Sequence, residues 1–335
     1  MSNENNSHIK VSVIIPCFNE EKTIQLLLNA LLNQKFPTNL IEVIVADAVS
    51  TDKTREKIYE FSTENPQLLI RVLDNLKKTI PAAVNLAAKA AVGKYLVRMD
   101  AHSVPDGNYI KNSIALLEQK IAQNVGGVWE IHPGNPSCIA KAIAKAAAHP
   151  LGAGDAGYRI SSKAGFVDTV PFGAFSKKDF FQIGGFNERL LSNEDYEFNT
   201  RLRLNGGKIY LDPSIRSKYY ARANLRELGK QYWRYGYWKY KMLKIFPQSL
   251  RWRQAIPPLF VLFFFMFGLL AFFTPIALII MGGGAGLYLL ALLITSVYES
   301  INKKDCCYMK MIIAFATIHF CWGSGFIYSI FKKAA

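Results

Sequence analysis

Cysteine is scarce: there are five in 335 residues, Cys17, Cys138, Cys306, Cys307 and Cys321, and none forms a C-x-x-C pair. That excludes a disulfide-built scaffold and a structural zinc site, and it fits a reduced cytosolic environment. No G-x-G-x-x-G follows the first apolar run and no G-x-x-x-x-G-K-[ST] occurs anywhere, which sets aside dinucleotide binding and P-loop chemistry. Residues 1–10 are polar and the apolar run Val11–Cys17 is too short for the core of a signal peptide, so the amino-terminal region is expected to begin in the cytosol. Acid is also in short supply. The 25 Asp+Glu against 40 Lys+Arg leave a formal net charge of +15, which calls for an anionic partner: nucleic acid, a membrane surface or a phosphate-bearing substrate.

Charge is missing altogether from residues 254–298, a stretch of 45 residues rich in Phe, Leu and Ile. As a helix at ~1.5 Å per residue it would run about 68 Å, roughly twice the ~30 Å hydrocarbon layer, so it reads as two crossings. Helix breakers cluster at Thr274-Pro275 and at Gly282-Gly283-Gly284. The former divides the run more evenly and is preferred as the turn, giving spans 257–274 and 275–298. A polar loop with Lys303, Lys304 and Lys310 leads to a third apolar run, 311–331. Basic residues before Pro257 and in the Lys303/Lys304 loop place both on the cytosolic side. Lys332-Lys333 then fall outside if the third run crosses, against the same rule. Crossing and re-entry at Gly323 and Gly325 both stay open.

The excess positive charge is concentrated just before these spans. From Arg201 to Arg253 there are 14 Lys/Arg against Asp212 and Glu227, a net of +12. Within residues 224–246, Arg226, Lys230, Arg234, Lys239, Lys241 and Lys244 alternate with Tyr232, Trp233, Tyr235, Tyr237, Trp238 and Tyr240. Rings at headgroup depth with basic side chains against lipid phosphates suit a helix lying at a bilayer interface, and the expected partner is anionic membrane lipid. Single-stranded nucleic acid favours the same mixture. The adjoining spans decide for the membrane, and no nucleic-acid partner is expected.

The amino-terminal 220 residues alternate between short β-branched runs and helical patterns. Strands are expected over 11–15, 41–46, 69–73 and 95–99, with helices running through Leu32, after the capping residues Ser50-Thr51-Asp52, and over 82–91. This alternation predicts a doubly wound α/β sheet whose ligand lies beyond the carboxyl ends of the strands. Three of those ends carry polar or acidic residues: Pro16-Cys17-Phe18-Asn19-Glu20, Asp47, and Asp100-Ala101-His102.

In these residues the chain resembles the family 2 glycosyltransferases of the GT-A fold, over residues 11 to about 257, and among them the membrane-anchored enzymes that extend lipid-linked exopolysaccharides. Val11-Ser12-Val13-Ile14-Ile15-Pro16-Cys17-Phe18-Asn19-Glu20 is similar to the family's opening strand and P-x-x-N-E turn. Ala46-Asp47-Ala48-Val49-Ser50-Thr51-Asp52 resembles V-D-D-G-S-T-D, with Val49 in place of glycine. Asp100-Ala101-His102 stands where the family has D-x-D, Gly184-Gly185-Phe186 matches its acceptor-side G-G-F, and Asn193-Glu194-Asp195 its E-D motif. Gln231-Tyr232-Trp233-Arg234-Tyr235 resembles Q-x-x-R-W.

The resemblance implies a GT-A catalytic domain over 1–222, an interfacial segment over 223–254 and a transmembrane region over 255–335. It implies donor contacts from Pro16, Asn19, Glu20 and Asp47, the last to the base, and from Arg234 to the diphosphate, with Gln231 toward the acceptor; Lys78 and Asn85 are further donor-side candidates. Asp100 and His102 would hold Mn²⁺ or Mg²⁺ at the diphosphate, where negative charge builds as the anomeric C–O bond breaks. Asp195, with Glu194 as neighbour, would take the proton of the attacking acceptor hydroxyl. The expected activity is inverting, non-processive transfer from a nucleotide-diphosphate sugar, a UDP-hexose, to a polyprenyl-diphosphate-linked saccharide at the cytosolic membrane face. The different-class alternative is a membrane-tethered lipid- or partner-binding protein whose sugar-nucleotide site has decayed.

Overall fold

The computed structural model describes residues 8–160 and 163–332. Two compact units divide the chain: Met1–Glu130 with Ser161–Tyr219, and Ile131–Ile160 with Tyr220–Ala335. The second contains a segment, residues 131–160, that the sequence reading assigned to the amino-terminal domain. A contiguous sequence gives no sign that a stretch leaves one core for another.

The strands of the sheet are β1 (Val11–Cys17), β2 (Ile41–Asp47), β3 (Leu69–Asp74), β4 (Tyr95–Arg98), β5 (Val104–Pro105), β6 (Asn124–His132), β7 (Gly165–Phe166), β8 (Ala174–Ser176) and β9 (Ile209–Tyr220). Their order is β3-β2-β1-β4-β8-β6-β9-β5, with β7 on β9. The first four run parallel, in the register Val11↔Ile41, Glu42↔Leu69 and Val11↔Tyr95. Beyond β4 the sheet turns antiparallel through β8 and β6. It is therefore the mixed, Rossmann-like sheet of a GT-A domain rather than a purely parallel one.

The helices of this unit are α1 (Ile24–Leu32), α2 (Thr54–Glu64), α3 (Ile80–Ala90) and α4 (Tyr109–Glu118), and, numbered after three helices of the second unit, α8 (Lys177–Gln182) and α9 (Glu194–Leu204). Alternation along β1 sends Val11, Val13 and Ile15 into one core with Leu27, Leu28, Leu31 and Ile114. Ile14 enters the other, with Val84, Phe175, Phe180, Phe186 and Phe198. A strand that is apolar on both faces needs cover on both, which is why it reads as a continuous β-branched run.

In the second unit α5 (Cys138–Ala147), α6 (Pro150–Ala153) and α7 (Gly157–Ile160) precede the long helices α10 (Leu225–Ile245), α11 (Trp252–Leu270), α12 (Pro275–Lys303) and α13 (Met311–Phe331). Asn224 caps α10 by accepting the Glu227 N–H at 3.0 Å. Three helical segments here, Trp252–Leu270, Pro275–Lys303 and Cys306–Phe331, are long and apolar enough to cross a membrane. The break between the first two falls at Thr274-Pro275, where Thr274 caps and Pro275 opens α12; Gly282, Gly283 and Gly284 lie inside that helix.

One pairing in this unit was not foreseen from the sequence. Cys138 and Cys307, 169 residues apart, are joined as a disulfide, with Cα atoms 4.7 Å apart. The pairing rests on a fold contact that spacing does not encode: Lys141 meets Asp305 at 3.0 Å and Lys145 meets Glu299 at 3.0 Å, fastening α5 to the end of α12 and the turn after it.

Candidate active site

The carboxyl ends of β1, β2 and β4 are laced together by side chains. Asn19, in the left-handed region at φ 53, donates its backbone N–H to Ser50 Oγ at 2.8 Å and accepts the Thr51 N–H on Oδ1 at 2.8 Å. Asparagine is among the few side chains that take this conformation readily, so the P-x-x-N-E turn has a local reason for its residue. Glu20 donates its N–H to Thr54 Oγ1 at 2.8 Å, and its Oε1 lies 2.9 Å from His102 Nδ1, which ties the β1 turn to the β4 turn. Pro16, buried in β1, pairs in register with Ala46.

Asp47 is fully buried at the end of β2. Its carboxylate accepts the Ser50 N–H at 3.0 Å and the Arg55 Nε–H at 2.5 Å, and Arg55 reaches on to Asp74 at 2.5 Å. Asp47 thus holds the loop that follows it. Val49 takes a glycine-like conformation, φ 61, which strains a β-branched residue.

Beyond β4 a single guanidinium organises the acidic residues. Arg98, 5% exposed, directs one nitrogen, Nη2, to Asp100 Oδ1 at 3.2 Å and to Glu194 Oε1 at 3.1 Å. Asp195 follows at the start of α9, half-buried, its Oδ1 accepting the Tyr196 N–H at 2.7 Å. Burial raises the pKa of both Glu194 and Asp195 above the ordinary carboxylate values, and the Arg98 charge opposes that rise. Burial would lower the Arg98 pKa, but Asp100, Glu194 and Asp195 outweigh it and hold the guanidinium charged.

The loop before α9 is fixed from two sides. Gly184 and Gly185 sit at φ 91 and 67, and Arg201 on α9 hydrogen-bonds the Gly185 carbonyl at 2.6 Å while pairing with Glu197 at 2.6 Å. Asn85 clasps the backbone of Phe186 at both ends, donating to its carbonyl and accepting its N–H, each at 2.8 Å. Its amide thereby holds the loop that carries Gly184 and Gly185, and also reaches Glu188 Oε1 at 3.1 Å. Lys78 is exposed in the turn before α3, at φ 55.

Gln231 and Arg234 lie on α10, in the other unit; Gln231 donates to the Tyr235 hydroxyl at 3.0 Å and Arg234 is exposed. Of the sequence candidates, then, the structure brings together Asn19, Glu20 and His102 on one side, and Asp100 with Glu194 and Asp195 around Arg98 on the other. Arg98 and Arg55 were missed. For Arg98 the signal was present: a charge inside the otherwise apolar run Tyr95-Leu96-Val97-Arg98-Met99 has to be paired when that strand is buried.

Among the described residues no three His, Cys, Asp or Glu side chains form a metal-holding cluster. Asp100 and His102 supply two donors at one turn, which suits a cation that takes its remaining ligands from substrate phosphate and water.

The mixed sheet thus carries a D-x-H turn after β4 and faces it with an E-D pair at the start of α9, joined through Arg98. The glycosyl transferase family 2 model matches residues 12–180, and the chain belongs to that family. It is 30% identical to the dolichyl N-acetyl-alpha-D-glucosaminyl phosphate 3-beta-D-2,3-diacetamido-2,3-dideoxy-beta-D-glucuronosyltransferase of Methanococcus voltae, across 96% of this chain and 97% of that one. It is 29% identical to the succinoglycan biosynthesis protein ExoA of Rhizobium meliloti, across 97% and 96%. The mannosyltransferase PcManGT from Pyrobaculum calidifontis, solved with GDP-Man and Mn²⁺, shares the fold with a TM-score of 0.62 at 16% identity, covering 98% of this chain and 89% of its own.

Proposed function

We propose that this glycosyltransferase moves a hexose, with inversion, from a nucleotide diphosphate to a saccharide carried on a polyprenyl diphosphate at the cytosolic face of a membrane, in the synthesis of an exopolysaccharide or other surface glycan. One observation carries the reading: Arg98 bridges Asp100 and Glu194 through a single nitrogen. This sets a diphosphate-side carboxylate next to the pair that would serve the acceptor. Full-length similarity to a transferase whose name specifies a dolichyl-linked acceptor supports the lipid carrier.

In this scheme Asp100 and His102 hold Mn²⁺ or Mg²⁺, which when bound offsets charge on the departing diphosphate. Asn19, Glu20 and Asp47 shape the donor end, with Pro16 setting the strand exit. Arg234 and Gln231 are proposed contacts to diphosphate and acceptor, and Lys78 is a peripheral cation for the donor. The acceptor hydroxyl attacks the anomeric carbon, its proton passes to Asp195, and the C–O bond to the nucleotide diphosphate breaks. Burial raises the pKa of Asp195, which makes its carboxylate a stronger base than that of an exposed aspartate.

Calorimetric titration of detergent-purified protein with UDP, with and without Mn²⁺, tests the donor site. Metal-dependent binding that is lost in Asp100→Ala is expected. Binding of neither UDP nor GDP would contradict the reading.

A further inference from the structure

The neighbours of α13 bear on its path, which its sequence leaves open. Over its second half α13 runs parallel to α10. A β-carbon at Gly229 would touch Thr317 and Cys321, one at Gly236 would collide with the Trp322 carbonyl, and one at Gly325 with the Trp233 carbonyl. Further on, the rings of Trp233 and Tyr328 lie 5.4 Å apart, as do those of Tyr240 and Phe326, and Lys241 Nζ donates to the Lys332 carbonyl at 2.8 Å. The partners advance together along both helices, over about 18 Å at ~1.5 Å per residue from Gly229 to Lys241. Glycines at the contact let the backbones approach this closely.

The first half of α13 rests on the short helices α5 and α6. Phe315 packs on His149 at 5.6 Å between ring centroids, and His319 Nε2 lies 2.8 Å from the Leu151 carbonyl. The α11–α12 hairpin meets α13 near its middle, where Phe260 packs on Phe320 at 5.2 Å and Gly323 abuts Pro257.

A helix cannot change depth in a bilayer independently of one packed along its length. α10 exposes Lys230 and Arg234 within the shared stretch and Arg226 and Lys244 at its ends, and ionised side chains turned outward at mid-bilayer are strongly disfavoured. We propose that α13 does not cross the membrane. It lies with α10 as a parallel pair in the cytosolic headgroup layer, and the chain crosses the bilayer twice, through α11 and α12.

Two further features fit that placement. Trp233, Tyr328, Ile330 and Phe331 are exposed beside Lys241, Lys244 and Lys332, the mixture of rings and cations that an anionic lipid surface takes up. Lys332 then shares the cytosolic side with Lys303 and Lys304, so the basic termini of all these helices obey one rule. The proposal rests on the hairpin crossing the membrane, not on the reaction.

Reporter fusions of the full chain in bacterial cells test it. Green fluorescent protein and periplasmic alkaline phosphatase are each joined after Ala335, and an epitope is inserted separately between Phe272 and Phe273. A fluorescent carboxyl terminus, an inactive phosphatase and an epitope reached by antibody from outside spheroplasts are expected. An active phosphatase with a dark fluorescent fusion would overturn the proposal by showing a third crossing. An epitope protected in intact spheroplasts and exposed only on lysis would overturn it by removing the hairpin. Protease digestion of a carboxyl-terminal tag in sealed inside-out vesicles is an independent reading: cleavage agrees with the proposal and protection contradicts it.

Discussion

At the residue scale the site turns on charges that only a paired environment makes tolerable. Arg98 is buried against Asp100 and Glu194, so Arg98→Met strands carboxylates in a desolvated pocket. Breaking a buried pair in this way costs about 3–5 kcal/mol, measurable by thermal unfolding. The same variant bears on pH. Burial already raises the pKa of Asp195 above 3.8, and in the proposed reaction its ionised form is the base, so the rate is expected to climb with pH through that raised value. Removing the opposing cation raises it further, and the acid limb of the rate profile of Arg98→Met moves to higher pH. An unmoved limb would mean that Arg98 does not act on the base. The sign for stability is the reverse of the usual carboxylate case: between the ordinary and the raised pKa the folded chain holds more protons than the unfolded one, so this pair's contribution falls as pH rises through that window. Val49 offers a gain instead. Its φ of 61 costs a non-glycine residue roughly 1–2 kcal/mol, so Val49→Gly is expected to raise the melting temperature, the gain reduced by glycine's added freedom in the unfolded chain.

At the scale of elements, the joint between the Gly184-Gly185 loop and α9 sets where Asp195 stands. Gly185 sits at φ 67, and a β-carbon there would lie 2.7 Å from Asn85 Oδ1, the atom that accepts the Phe186 N–H. Gly185→Ala therefore combines backbone strain with loss of the Asn85 clasp, a cost on the order of 2 kcal/mol, and is expected to lower turnover more than donor binding. Steady-state kinetics beside a UDP titration checks the split. The strands were legible because β-branched apolar runs ending at Asn19-Glu20, Asp47 and Asp100 permit little else. The carboxylate pair at Glu194-Asp195 was legible as a motif, ten residues after the glycines. What stayed hidden was pairing across the chain. Nothing near Arg98 announces Glu194, 96 residues away, and nothing near Asn85 announces the backbone of Phe186.

At the scale of the whole molecule, the alanine-rich helix α5 shows the limit most plainly. Its amphipathic pattern fits many partners, and the one it has, the end of α12 and the turn beyond, is fixed by Lys141–Asp305, Lys145–Glu299 and Cys138–Cys307. Protein purified without reductant and denatured is expected to titrate three thiols, Cys17, Cys306 and Cys321, where a fully reduced chain would give all five. In the proposed reaction this chain transfers sugar to a lipid-linked acceptor with Asp195 as base. The measurement that tests it most directly follows labelled sugar from a nucleotide-diphosphate donor onto a polyprenyl-diphosphate-linked saccharide, wild type against Asp195→Asn, with nucleotide binding measured on both. The account predicts transfer by the wild type, a loss of about 10²–10⁴-fold in the variant, and nucleotide binding unchanged. Transfer by Asp195→Asn at the wild-type rate would contradict it.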